Sequence, residues 1–274
     1  MARRRVLPGL PLSLGVTLVY VTLIIALPIA AVLLKALSLS FADFLAIVTS
    51  PRAVATYRVT GLCALAATSF NAVFGLAFAW VLVRYDFPGK RLLDTLVDVP
   101  FALPTAVAGV TLTALFARNG WFGAPLAQAG IEVAYTPLGI IIAMIFTSLP
   151  FIVRTVQPVL EELDPEFEDA AACLGAGDFD TLRRVILPLL MPAFLAGISF
   201  AFVRCLGEFG AIIFIAGNQP LATEITALLA FIRIEEFDYE GAAAIATVML
   251  FASLVILVLT SAAQSWYGRH LTRS

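Results

Sequence analysis

At 274 residues, 61% hydrophobic and 13% charged, with a mean hydropathy of +0.99, the chain is far more apolar than a soluble globular protein, which is about 45–50% apolar. The net charge of −2 points to no class of partner. What the composition excludes is a water-soluble fold.

The apolar residues gather in six runs without charge: residues 6–34, 59–83, 99–117, 133–153, 185–203 and 241–268. Each can form a helix of about 20 residues, enough to cross a hydrocarbon core about 30 Å thick. None shows the period-2 alternation of barrel strands. Only helices and closed barrels satisfy their own backbone in lipid, so the sequence predicts an all-α integral membrane protein with six transmembrane helices.

Arg3–Arg5 followed by an apolar run resembles a signal peptide. The run is too long for one and no small-residue cleavage site follows, so residues 12–34 read as the first membrane helix. In the next stretch, 38–57, the segment LSFADFLAIV predicts a short interfacial helix capped near Ser40. The second span, 59–83, carries Gly61, Ala66, Ala67, Ala72, Gly75, Ala77 and Ala79, small residues that let membrane helices approach closely. Pro88-Gly89 then breaks the chain into a tight turn.

The third run enters as DVPFALPTAVAGV. Pro100 and Pro104 remove backbone hydrogen bonds and bend a helix. Such a bend either lines a cavity, as in transporters, or serves packing alone. Trp121 and Phe122 in the following loop suit a membrane interface. The fourth span is expected to end at Val153 and the fifth to run over 189–216. Between them lies a polar island, 154–188. In the segment after the fifth span, Ile225, Leu228, Leu229 and Ile232 fall on one helical face, too short a helix to span. The sixth span ends near Gln264, and a basic tail follows.

With Met1 cytoplasmic, eleven cations lie inside (Arg3, Arg4, Arg5, Arg84, Lys90, Arg91, Arg154, Arg183, Arg184, Arg269, Arg273). Five lie outside: Lys35, Arg52, Arg58, Arg118 and Arg233. This bias places both termini and the polar island in the cytoplasm. Cys63, Cys173 and Cys205 are scattered and suggest no disulfide or metal framework. His270 stands alone in the tail, and a metal ligand needs companions, so no metal site is expected.

Within the island, Asp164-Pro165-Glu166 reads as a helix start. The helix runs through Glu168, Asp169, Ala170 and Ala171 and closes at Gly175, where glycine suits a left-handed turn. Asp178 reads as the cap of a second helix lying against the bilayer and leading into the membrane. A helix thinned by Ala170, Ala171 and Ala172 suits a groove on another protein; the alternative is a solvated loop.

The spacing DAA-ACL-G-(nine residues)-V-I-L-P, Asp169 to Pro188, resembles the EAA signature of ABC-importer permeases. Asp169 stands where that family usually has Glu, with Glu168 just before it. The resemblance implies a type I permease fold in which residues 154–188 form a cytoplasmic coupling loop docking into an ATPase. Coupling falls to Glu168, Asp169, Ala170, Ala171, Gly175, Leu187 and Pro188. FALPTAVAG (101–109), LGEFGAIIFIAGNQP (206–220) and TEITALLAFIRIEEFDYEGAAAIA (223–246) resemble the sulfate/thiosulfate permeases, and the last two the T-type subunit. LGEFGA is shared with molybdate and tungstate permeases. The resemblance implies one permease domain over 1–274 with a core at about 59–264. It further implies a W-type second permease, two ATP-binding subunits, a periplasmic sulfate-binding protein and the bacterial inner membrane. No nucleic acid is expected, and no cofactor on this chain, ATP being bound by the partner.

Arg204 and Glu208 are expected inside the fifth span, one turn apart. They form either an anion contact, Arg204 attracting a passing dianion, or a mutually neutralising pair. Gly207 and Gly210 flank Glu208 and Phe209 and allow a kink or a constriction gated by Phe209. The chain contains no GxxxxGK[ST] phosphate loop and no HExxH or GxSxG motif. A non-catalytic subunit is therefore expected over a membrane enzyme, with a membrane anchor for a cytoplasmic complex as a further rival.

Overall fold

The computed structural model describes residues 10–271, helical almost throughout. Arg3–Arg5 and Arg273, which entered the charge balance, lie outside the described residues, as do the side chains of Arg269 and His270. Helix α1 (Leu12–Leu37) contains a π-helical stretch at Val21–Ala26. Helix α2 (Phe41–Val48) starts where expected: the Asp43 amide donates to the Ser40 hydroxyl at 3.1 Å, a side-chain cap.

Helix α3 (Pro51–Arg84) buries Thr56, Thr60, Ala64, Ala67, Asn71, Gly75, Ala79 and Leu82. The spacing of three or four makes one stripe. A Cβ on Gly75 would sit 3.1 Å from Ile152 Cγ2, so this glycine sets how near the fourth span can come. Ala66 and Ala77 instead face outward. Asn71 Nδ2 donates to the Ile145 carbonyl and the Ser148 hydroxyl, both at 2.9 Å.

The third apolar run is not one span. After the left-handed Gly89 come α4 (Lys90–Val97), α5 (Val99–Ala102) and α6 (Thr105–Phe116). Leu103 and Pro104 are extended, with ψ of 133° and 130°. Pro104 has no N–H to continue the ladder, and it drives the residue before it out of the helical region. At about 1.5 Å per residue α6 reaches only about 18 Å. Five helices among the described residues are long and apolar enough to cross a membrane, rather than six.

Helix α7 (Gly123–Gln128) precedes α8 (Pro137–Glu161), which passes the expected end at Val153. Arg154 is thus carried on a helix. Its Nε and Nη2 donate to both carboxylate oxygens of Asp98 at 2.8 and 2.7 Å, and Nη1 to Asp94 at 2.6 Å. This fork clamps α4 and α5 to α8.

Helix α9 (Glu166–Cys173) is followed by α10 (Asp178–Leu206), which carries a π stretch at Leu182–Ile186. Gly177 holds the cap position and Asp178 lies in the first turn. Asp178 is therefore not the cap, and no separate surface helix follows, because the segment runs unbroken into the membrane span. α10 stops at Leu206, well short of the expected 216. Helices α11 (Ile212–Ile215), α12 (Thr226–Glu235) and α13 (Tyr239–Leu271) complete the order. The predicted α12 face is buried at Leu228 and Leu229, with Ile225 just before the helix, and Ile232 packs on the same core.

The centre of the bundle is α3 against α8, closed by α10; α13 covers α10 and α12, and α1 touches α13 at the edge. At the end opposite α9, Arg52 grips the buried Glu224 with two bonds of 2.6 and 2.8 Å, fixing the 217–225 segment to the start of α3.

Candidate functional site

The α9 turn is built from local rules. The Glu166 amide donates to Asp164 Oδ1 at 3.0 Å, so Asp164 caps the helix as its sequence suggests. At the other end the Ala176 amide donates to the Ala171 carbonyl at 3.0 Å and Gly175 to Ala172 at 2.9 Å. These are the two bonds of a Schellman closure, and Gly175 supplies the left-handed residue at φ +82°. Ala171 is buried against the bundle, while Asp169, Ala170 and Gly175 are exposed. Leu187 and Pro188 are half-buried, just past the π stretch of α10.

Two features were not visible in the sequence. Glu168 pairs with Arg84, the last residue of α3, and Arg84 stacks over Trp80 at 5.3 Å. The α9 helix is thereby tied to the second span by a contact 84 residues apart in the chain. In addition, Phe167, Leu174 and Phe179 are 51%, 89% and 71% exposed. These are bare apolar side chains on a polar loop, and they were legible only as apolar residues of no assigned side.

A second site lies at mid-depth, at the far end of α10. Cys205 Sγ lies 3.8 Å from the Met144 carbonyl, in the same core as Ala67 near the middle of α3. α10 therefore ends inside the bundle, and α6 begins there. Their ends meet closely. A Cβ on Gly210 would lie 2.2 Å from Thr105 Oγ1, and one on Gly109 would lie 2.4 Å from the Ala211 carbonyl. Only glycine permits these contacts.

Arg204 sits in the last turn of α10; Gly207 caps the helix, and Glu208 lies just beyond it. The expectation that Glu208 stands within the span is thus corrected: the Gly207 turn ends the helix first. Arg204 Nη2 is 2.6 Å from Glu208 Oε2, and the Ala211 amide donates to Glu208 Oε1 at 2.9 Å. The Glu208 side chain is 1% exposed and that of Arg204 is 32% exposed. Phe209 packs on Phe231 of α12 with centroids 5.3 Å apart. The coupling and pathway candidates are not brought together. On α10 itself Leu187 and Pro188 stand 16 to 17 residues before Arg204, about 25 Å along the axis, and the α9 candidates precede that helix altogether.

Residues 71–273 match the model of the family described as binding-protein-dependent transport system inner membrane component. The chain is 55% identical over 271 residues to the sulfate transport system permease protein CysT of Salmonella typhimurium, covering 99% of this chain and 98% of that protein. It is 49% identical to the protein of the same name from Synechocystis sp., over 93% and 89% of the two chains. Among solved structures, a bacterial alginate ABC transporter in complex with an alginate-pentasaccharide-bound periplasmic protein aligns with a TM-score of 0.76. That alignment covers 92% of each chain at 15% identity, a likeness of fold.

Proposed function

The chain belongs to the binding-protein-dependent transport system inner membrane component family, and from that premise we propose that it is the T-type permease subunit of an ATP-driven importer of sulfate, and of thiosulfate. It lies in the bacterial inner membrane, with the α9 end and both termini cytoplasmic. Its partners are a W-type permease, a pair of ATP-binding subunits and a periplasmic sulfate-binding protein. ATP is hydrolysed on the partner; this chain supplies the path and its movement.

One observation carries the oxyanion reading. Two segments about a hundred residues apart, 101–109 and 206–220, resemble oxyanion permeases, and they form a single mid-depth contact through Gly109, Gly210 and Thr105. Broken helices meeting at the midplane are how transporters place a substrate path. Arg204 neutralises Glu208 and still shows a third of its side chain. An exposed charge at that depth faces water or a protein partner rather than lipid. Arg204 is thus both a packing ion pair and the cation that a passing dianion meets. Phe209, held by Phe231, narrows the same turn.

Coupling follows from the helix geometry. The ATPase receives α9 through Phe167, Leu174 and the Asp169 side. Movement there reaches the mid-depth turn along the unbroken α10, while Glu168 and Arg84 keep α9 in step with α3.

Labelled sulfate uptake in cells lacking this chain tests the reading. Uptake is expected to disappear and to return with the gene. Normal sulfate uptake with a missing molybdenum cofactor would point instead to a molybdate permease. Replacing Arg204 with Gln is expected to raise the sulfate concentration needed for half-maximal uptake; unchanged kinetics across sulfate concentrations would remove the attraction from the account.

A further inference from the structure

The mid-depth contact has two sides. One is the turn at Gly207–Ala211, which continues α10; the other is the start of α6, Thr105–Gly109. α10 follows α9 in the chain, so a movement of α9 reaches the first side directly. The second side has no such link, because α6 is preceded by α4 and α5.

Packing holds α4 and α5 weakly. Val97 is the one buried residue of α4, and α5 buries none. Leu92, Leu96 and Phe101 are exposed. What fastens the two helices is Arg154 of α8, all five of whose N–H donors are engaged. Beyond the three bonds to the Asp94 and Asp98 carboxylates, Nη2 donates to the Asp94 carbonyl at 2.7 Å and Nη1 to Gln157 Oε1 at 2.6 Å. Gln157 donates in turn to Glu161, the last residue of α8, at 3.1 Å. A planar guanidinium with every donor used fixes orientation as well as distance.

Asp98 is the joint between α4 and α5. From there to Thr105 the chain makes one helical turn, with Phe101 edge-on to Phe151 of α8 at 5.2 Å, and then two extended residues. No loop takes up slack. Thr105 then stands so close to Gly210 that a Cβ on that glycine would collide with it. In the other direction, Arg154 lies two turns before the end of α8, and only residues 162–165 separate that end from α9.

We propose that Arg154 is a positioning residue of transport: through Asp94 and Asp98 it carries the movement of α9 to the start of α6, so that both sides of the mid-depth contact are driven from the ATPase end. This rests on the importer reading above. With α10 alone, α9 would shift one side of the contact against a loosely held partner. With the fork in place the two sides move in a fixed relation. A role in folding alone shows in stability, whereas a coupling role shows in sulfate moved per ATP.

The test uses the complete transporter in proteoliposomes, with sulfate accumulated per ATP hydrolysed and melting temperature read on the same preparations. Arg154→Lys keeps the charge, but an ammonium cannot span both aspartates; sulfate per ATP should fall about fivefold or more. Arg154→Gln with Asp94→Asn and Asp98→Asn leaves no unpaired charge. Its melting temperature should match the wild type while sulfate per ATP stays low. Combined with Gly210→Ala, Arg154→Lys should lose less than the product of the two separate losses, because both loosen one contact. Wild-type sulfate per ATP in either Arg154 variant overturns the proposal, as does a loss that only follows melting temperature. Independent losses in the combined variant overturn the route through Thr105. A wild-type complex that accumulates no sulfate would instead sink the importer reading, and this role with it.

Discussion

Replacing Gly175 tests whether α9 is a preshaped docking element. Its φ is +82° and no atom lies within 4 Å of an added Cβ. A side chain there meets no neighbour, so the whole penalty is backbone strain. A left-handed L-residue costs about 1–2 kcal/mol, most for a β-branched side chain and least for asparagine. α9 packs on the start of α10 and carries the Arg84–Glu168 pair, with Ala171 its one buried residue, so the strain is relieved by opening the Schellman turn, leaving the spans intact. The docked state must then restore the turn. At about 1.4 kcal/mol per decade, affinity for the ATP-binding subunits should fall little for Gly175→Asn, several-fold for Gly175→Ala and about tenfold or more for Gly175→Val. Titrating the purified ATPase onto the permease pair in nanodiscs reads this directly. Equal affinity for wild type and Gly175→Val, or loss in the reverse order, would refute the reasoning.

Three further predictions rest on the same contacts. Arg204→Met leaves Glu208 buried without its counter-charge, which costs about 3–5 kcal/mol. Folded yield should drop, and Arg204→Met with Glu208→Leu should recover it; a single variant as stable as wild type would contradict the pair. Gly109→Ala forces α6 from Ala211, an overpacking cost of about 1–3 kcal/mol, and should lower both melting temperature and uptake, while Gly61→Ala, with open space around it, should do neither. Glu168→Arg should reduce uptake per ATP hydrolysed and Arg84→Glu in the same chain should restore it; failure of the double variant would show that the tether is incidental.

The long spans were readable because hydropathy is a local property, and so was the α9 turn, where Asp164 and Gly175 act on their own neighbours. The break at Leu103-Pro104 was half readable: two prolines announced a bend, but only Pro104 separates two helices. Pro100 sits in the first turn of α5, where proline is tolerated. The end of α10 was half readable: Gly207 and Gly210 allowed a kink, but the apolar residues that continue to Ala216 hid the helix end, because hydropathy marks depth in lipid rather than helix ends. For the same reason α8 outruns its apolar run by a further two turns. The pairings Arg84–Glu168 and Arg154–Asp98 join residues 84 and 56 apart, and no periodicity reports such distances.

The most direct measurement is ATP-dependent accumulation of labelled sulfate in proteoliposomes holding the two permeases, the ATP-binding subunits and the binding protein. Sulfate is predicted to accumulate only when this chain is present, and excess thiosulfate to compete with it. Accumulation without this chain, or uptake of molybdate in place of sulfate, would contradict the account.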